Sequence, residues 1–184
     1  MTVEQVERLL KIAKNDQNSQ IYLFILIGLE TAMRRMEILS IKLADINIHQ
    51  RVIHIPQAKA GARQQPITAH LAMFLSNYIQ NVPPNQIWLF PAVRSQTGHT
   101  MNIEKSFRRV VAAADLDPRQ VLRHTLRHTA ITHLVQAGID LPTVKRISGH
   151  KTLQMVERYS HQNGAHIQAA MDKLEQRYKM KIST

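Results

Sequence analysis

The stretch SQIYLFILIGLETAM, Ser19 to Met33, is apolar on nearly every face of the helix it would form, and this constrains the rest of the fold. A surface helix needs one polar face. This one has none, so it is placed at the centre with other elements packed around it. Its longest apolar run, Ile21 to Leu29, falls well short of the roughly 20 residues that cross a bilayer, so it reads as a core helix and not an anchor. With 184 residues and 44% apolar side chains, the chain can bury the core of one domain.

Amphipathic helices are predicted around that centre. Thr2 and Gln5 form a capping-box pattern, and Val6, Leu9, Leu10 and Ala13 supply the apolar stripe behind it. Arg34 to Leu43 predicts a short third helix. The texture changes at Arg51, where RVIHIP alternates, KAGA is turn-like and RQQPIT is extended again. Pro66 is tolerable only on an edge, so the segment predicts a small β-hairpin, or three strands, with a basic tip. Further helices are predicted over Ala69–Gln80, Asn102–Ala114, Leu122–Ala137 and Pro142–Ser148, with a short one near Thr152 and a last one over Ala165–Tyr178. Gly138 suits a C-cap that needs φ > 0, and Pro142 suits an N1 position. The fold class is mainly α with a small antiparallel β-sheet.

The chain carries 24 Lys and Arg against 13 Asp and Glu, a formal charge of +11. Such an excess in a compact domain costs self-repulsion and matches a polyanion such as nucleic acid. The basic residues are spread along the chain, which favours a folded basic surface over a disordered arm. There is no cysteine, which excludes disulfides, zinc ribbons and thiol nucleophiles and fits a reducing, cytoplasmic setting. The N-terminal MTVEQVERLL has no signal-peptide character, and no membrane association is expected.

The repeat LRHTLRHT, Leu122 to Thr129, places two His and two Arg within two helical turns. His124 and His128 are spaced like a metal-ligand pair, but no carboxylate or thiolate accompanies them and HExxH is absent, so no metal or cofactor is expected. His124 and Arg127, at i,i+3, could instead reach one phosphate together.

Four stretches occur in order: TAMRRMEIL, AKAGAR, HTLRHT and ISGHKTLQMVERYS. Together they resemble the catalytic domain of the tyrosine recombinases, the phage integrase family, over Arg34 to Tyr159. The resemblance implies Arg34 as the first catalytic arginine, Lys59 as the hairpin lysine, His124 and Arg127 as the His-x-x-Arg pair, His150 as the later histidine and Tyr159 as the nucleophile. Ala32 stands where the family pattern has Gly, and the spacing from Lys59 to Pro66 is about one residue short. Glu37 and His128 are expected as supporting residues, Glu37 orienting Arg34 and His128 making a structural hydrogen bond. Arg35, Arg63 and Arg123 are expected to contact DNA phosphates.

The implied reaction cuts and rejoins duplex DNA through a 3′-phosphotyrosyl link without metal or ATP, in site-specific recombination or integration. Fixed cations hold the phosphate and Lys59 protonates the leaving 5′ oxygen. Two alternatives stay open. A type IB topoisomerase shares the chemistry, and Ala130 to Gly149 also reads as the helix-turn-helix of a regulator that performs none. The whole chain, residues 1–184, is expected to be the catalytic domain, with the N-terminal DNA-clamping domain of such enzymes absent and binding therefore weak and salt-sensitive. The apolar stripe Ile167, Ala170, Met171, Leu174 and Tyr178 suggests self-association into a synaptic tetramer on DNA, or packing of the tail on its own core.

Overall fold

The computed structural model describes residues 1–58, 61–92, 95–160 and 165–182. Helix α1 (Val3–Lys14) begins with the expected capping box, in which the Gln5 N–H donates to Thr2 Oγ1 at 3.3 Å and the Thr2 N–H to Gln5 Oε1 at 2.9 Å. Helix α2 (Ser19–Thr31) follows, capped by Asn18. Its Ile21, Phe24, Ile25, Leu26 and Ile27 are all buried, so it is the central helix that its all-round apolarity requires. Three strands, β1 (Ile46–Asn47), β2 (Val52–Ile55) and β3 (Arg63–Pro66), form an antiparallel sheet in the order β1-β2-β3, with Val52 opposite Pro66 and Ile55 opposite Arg63. Pro66 thus sits in an edge strand, where its missing N–H costs nothing.

Helices α4 (Ala69–Gln80), α5 (Glu104–Ala113), α6 (Arg123–Gln136), α7 (Leu141–Ser148), α8 (Gln154–Glu157) and α9 (Ala165–Ile182) complete the chain after the short α3 (Arg35–Leu39). Two differences from the sequence reading have physical reasons. The third helix stops at Leu39 instead of Leu43, because the next residues leave it to pair with the loop-rich segment: Leu89 donates to Ile41 O and Leu43 to Ile87 O, each at 2.9 Å. Helix α7 starts one residue early, at Leu141, because Asp140 caps it through the Thr143 N–H. Among the described residues no helix is long and apolar enough to cross a membrane.

Two features position the site. Helices α2 and α6 cross in close contact at Gly28, where a Cβ would lie 3.0 Å from Leu126 Cδ1 and 3.2 Å from Leu126 Cβ. A second apolar cluster, Ala32, Ala130, Ile131, Val135, Val144 and Val156, joins the end of α2 to α6, α7 and α8 and includes Tyr159. The stretches that carry Arg34, His124, Arg127, His150 and Tyr159, distant in sequence, are therefore packed together.

Candidate active site

The turn after α2 delivers the first arginine. Ala32 closes the helix in the left-handed region, at φ 54°, a conformation that costs a non-glycine residue about 1–2 kcal/mol. Its carbonyl accepts a hydrogen bond from Arg127 Nη1 at 2.6 Å, so a partner across the site helps hold the strained turn. Arg34 then sits at the N-cap of α3, and Glu37 turns back on it. Glu37 accepts the Arg34 backbone N–H at 3.1 Å and Arg34 Nη1 at 2.9 Å, and it also accepts Arg63 Nη2 at 3.0 Å. Burial pushes the Glu37 carboxyl up, but the Arg34 N–H and the charges of Arg63 and Arg34 outweigh it and hold the group below the usual range.

Arg63, expected on the DNA surface, is instead an internal strut. Its side chain is 14% exposed, paired with Glu37, donating to Gln65 and lying against Gly149, where a Cβ would come within 2.9 Å of Arg63 Nε. The strand β3 comes in from the hairpin beside α3, so this guanidinium meets a buried carboxylate before it can reach solvent. Gly149 is in the left-handed region at φ 65° and caps α7, a second reason for glycine there.

Arg127, on α6, donates from Nη1 to Ala32 O and Ser148 O at 2.6 and 2.7 Å, and from Nη2 to His150 Nε2 at 3.0 Å. A guanidinium has five N–H groups. Those three contacts fix its plane and leave Nε and one Nη2 hydrogen without a partner among the described residues. Arg34 is held likewise, by Glu37 and by Gly149 O at 3.1 Å. Burial and the neighbouring Arg34 charge lower the Arg127 pKa to about 10, so it stays cationic at neutral pH.

The state of His150 follows from its partners. The Ser148 hydroxyl donates to Val144 O at 2.7 Å, so its oxygen accepts from His150 Nδ1 at 2.8 Å. The proton is therefore on Nδ1, and Nε2 accepts from Arg127. Burial, together with the charges of Arg127 and Arg34, drives the His150 pKa down from 6.5 to about 4. A neutral imidazole here aligns Arg127 rather than adding charge. Ser148, fully buried, escaped the sequence reading; a small polar residue two before a motif histidine was its only signal.

His124, Arg34, Arg35, Arg123, Arg127 and Met33 line a cavity of about 230 Å³ at the start of α6. Apart from Met33 every lining side chain is basic, which suits a phosphate-sized anion. Arg123 also pairs with Glu104, a half-exposed contact of little energetic weight. Lys59 lies outside the described residues. Among those described, no group of three or more His, Asp or Glu side chains is arranged to hold a metal ion.

Tyr159 is 8% exposed, and its hydroxyl meets His128 Nδ1 at 2.5 Å. His128, expected to make a structural hydrogen bond, makes it to Tyr159, the residue expected as nucleophile. Arg158, which the sequence reading passed over, brings Nη2 to 3.5 Å from the same hydroxyl and its guanidinium carbon to 5.2 Å from the ring centre. The rings of His124 and His128 pack edge to face at 5.5 Å, which joins the cavity to the tyrosine.

The buried network predicts acid sensitivity. His150 binds its proton less tightly folded than unfolded, so stability falls as pH drops from about 6.5 to about 4, by about 3 kcal/mol at most. Glu37, also depressed, keeps its contribution above its ordinary carboxylate pKa and loses it as pH falls through the lower folded value. Both act in one direction. The melting temperature should decline from pH 7 to pH 4, and His150→Gln should flatten the upper part of that decline; an unchanged slope would show that His150 is not the titrating group.

Comparison with known proteins gives one family. The phage integrase family model matches residues 1–166. The chain is 24% identical over 175 residues to the tyrosine recombinase XerA of Pyrococcus furiosus, covering 94% of this chain and 60% of that protein. It is 30% identical over 157 residues to a shufflon-specific DNA recombinase of Escherichia coli, covering 84% of this chain and 38% of that one. It therefore spans about two fifths to three fifths of these relatives. The solved catalytic domain of bacteriophage HP1 integrase superposes with a TM-score of 0.71 at 24% identity, covering 94% of this chain and 92% of that domain. The Tn1549 transposon integrase, solved with circular intermediate DNA, gives 0.77 at 23% identity, with 95% and 66% covered. A match over residues 1–166, together with the shared fold, means that the chain belongs to the phage integrase family.

Proposed function

We propose that this chain is the catalytic domain of a site-specific DNA recombinase, with Tyr159 as the nucleophile that joins covalently to a DNA 3′ phosphate. The observation that carries the reading is the buried Tyr159 hydroxyl, bonded to His128, whose ring packs on His124 of the cavity that Arg34 and Arg127 also line. A free tyrosine has a pKa of about 10, so neutral pH ionises roughly one phenol in a thousand, a deficit of about 4 kcal/mol. Cations and a base around the hydroxyl offset it. The unengaged donors of Arg34 and Arg127 grip the non-bridging oxygens, each such contact being worth about 3–4 kcal/mol to the transition state in comparable oxyanion sites. The leaving 5′ oxygen takes a proton from Lys59 on the resemblance stated above. The phosphotyrosyl link retains the phosphodiester energy, so a second 5′ hydroxyl can reverse the step without ATP. A regulator without chemistry has no use for this arrangement.

Duplex DNA is the substrate, and Arg35 and Arg123 at the cavity rim contact its phosphates. The natural setting is the cytoplasm. Self-association into a tetramer draws on α9, whose Met171, Leu174 and Tyr178 are exposed, and on an apolar groove of about 590 Å³ that includes Val6, Leu10, Leu26 and Leu134. The test is incubation with nicked suicide duplexes carrying integrase-type sites, in the presence of EDTA. A protein–DNA adduct that survives denaturation, with the DNA mapped to the Tyr159 peptide, is expected. DNA binding with no adduct on any such duplex would leave the regulator reading standing.

A further inference from the structure

Among the described residues the proton of the Tyr159 hydroxyl has one acceptor. Arg158, the other polar neighbour, carries only donors, so the phenol donates to His128 Nδ1 at 2.5 Å, and the ring holds its own proton on Nε2. The other bases among the described residues make no hydrogen bond to that hydroxyl. Glu37 is held by two guanidinium groups, His150 accepts from Arg127 while its Nδ1 is tied to Ser148, and His124 packs edge-on against His128. Resting on the strand-transfer reading above, we propose that His128 is the general base of the cleavage step and that Arg158 stabilises the phenolate as it forms.

In this step the Tyr159 oxygen bonds to phosphorus as its proton passes to His128 Nδ1. The bond from phosphorus to the 5′ oxygen breaks, and that oxygen leaves with a proton from the general acid. In rejoining, an incoming 5′ hydroxyl attacks phosphorus and returns its proton to that general acid, and the departing phenolate takes its proton back from His128. Nothing is consumed. Burial holds His128 below the usual histidine range, and so do the charges of His124, Arg158 and Arg127, which keeps Nδ1 free to accept at neutral pH. The groups facing it are His124 and Arg127 on α6, Arg158 and Tyr159 after α8, and, across the groove from α1, Glu4 and the Met1 amino group that donates to Thr129.

The test is single-turnover cleavage of a suicide duplex by the whole chain as a function of pH, with melting temperature and DNA affinity measured alongside. His128→Ala should slow cleavage by about 100- to 10,000-fold and remove the acid limb of the rate profile. His128→Gln can still hydrogen-bond the hydroxyl but cannot take its proton at neutral pH, so it should be comparably slow while melting and binding as the wild type does. A duplex with a 5′-bridging sulfur, whose leaving group needs no proton, should leave both defects in place. Cleavage by His128→Gln within about threefold of wild type, in a wild type that forms the adduct, overturns the base assignment alone. Rescue of either variant by the sulfur duplex overturns it too, by making His128 the acid. Failure of the wild type to form any adduct overturns the strand-transfer reading itself.

Discussion

Tyr159→Phe is expected to bind duplex DNA as tightly as the wild type and to form no covalent adduct. The substitution keeps the ring, which packs in the cluster of Ala130, Ile131, Val144 and Val156, so the fold loses only the hydroxyl's hydrogen bonds to His128 and Arg158, about 1 kcal/mol. The reacting oxygen is gone, and no other tyrosine is placed to replace it. Tyr22 packs on Phe74 with ring centres 5.5 Å apart, Tyr78 points its hydroxyl at Leu89 O, and Tyr178 is exposed on α9. Denaturing gels of suicide-duplex reactions read the adduct, and filter binding with a melting curve reads the rest. An adduct retained by Tyr159→Phe would move the nucleophile elsewhere.

Glu37→Ala is expected to be the most damaging change to stability in the site. Glu37 is 7% exposed and is the shared acceptor of Arg34 and Arg63, with Arg63 only 14% exposed. Removing one member of a buried ionic group strands the other charges, at a cost of about 3–5 kcal/mol. Glu37→Gln keeps the volume and one acceptor oxygen and should lie between alanine and wild type. Because Glu37 also fixes the backbone N–H and the guanidinium of Arg34, cleavage should fall even at temperatures where the variant is folded. Thermal denaturation and single-turnover cleavage separate the two effects. A Glu37→Ala protein that melts within about 1 kcal/mol of the wild type would mean that water reaches Arg63 and relieves it.

The parts of the fold set by local chemistry were legible in the sequence. The Thr2–Gln5 box, the all-round apolar α2, the edge proline at 66 and the glycine after α6 depend on neighbours a few residues away. The end of α3 was not legible, since it depends on residues 87–89 pairing with residues 41–43. The site divides in the same way. His124 and Arg127, which straddle the LRHT repeat, line one cavity with Arg34. The surroundings of Arg63, Arg158 and Ser148, and the partner of the hydrogen bond expected from His128, were not legible because each depends on where a distant element arrives. Spacing within α6 puts His128 one turn from His124 but cannot say that α8 will set a hydroxyl on its Nδ1.

Gly28 lies within α2, well before the reacting groups, yet it gauges their separation. Arg34 leaves the end of α2 and Arg127 leaves α6, and at their crossing only a hydrogen atom stands between the α2 backbone and Leu126. A methyl group there would wedge the two helices apart and widen the span between two guanidinium groups that must close on one phosphate. The bite of the proposed phosphate clamp is therefore set by a contact in the apolar core, so a change that touches no polar atom should still slow strand transfer.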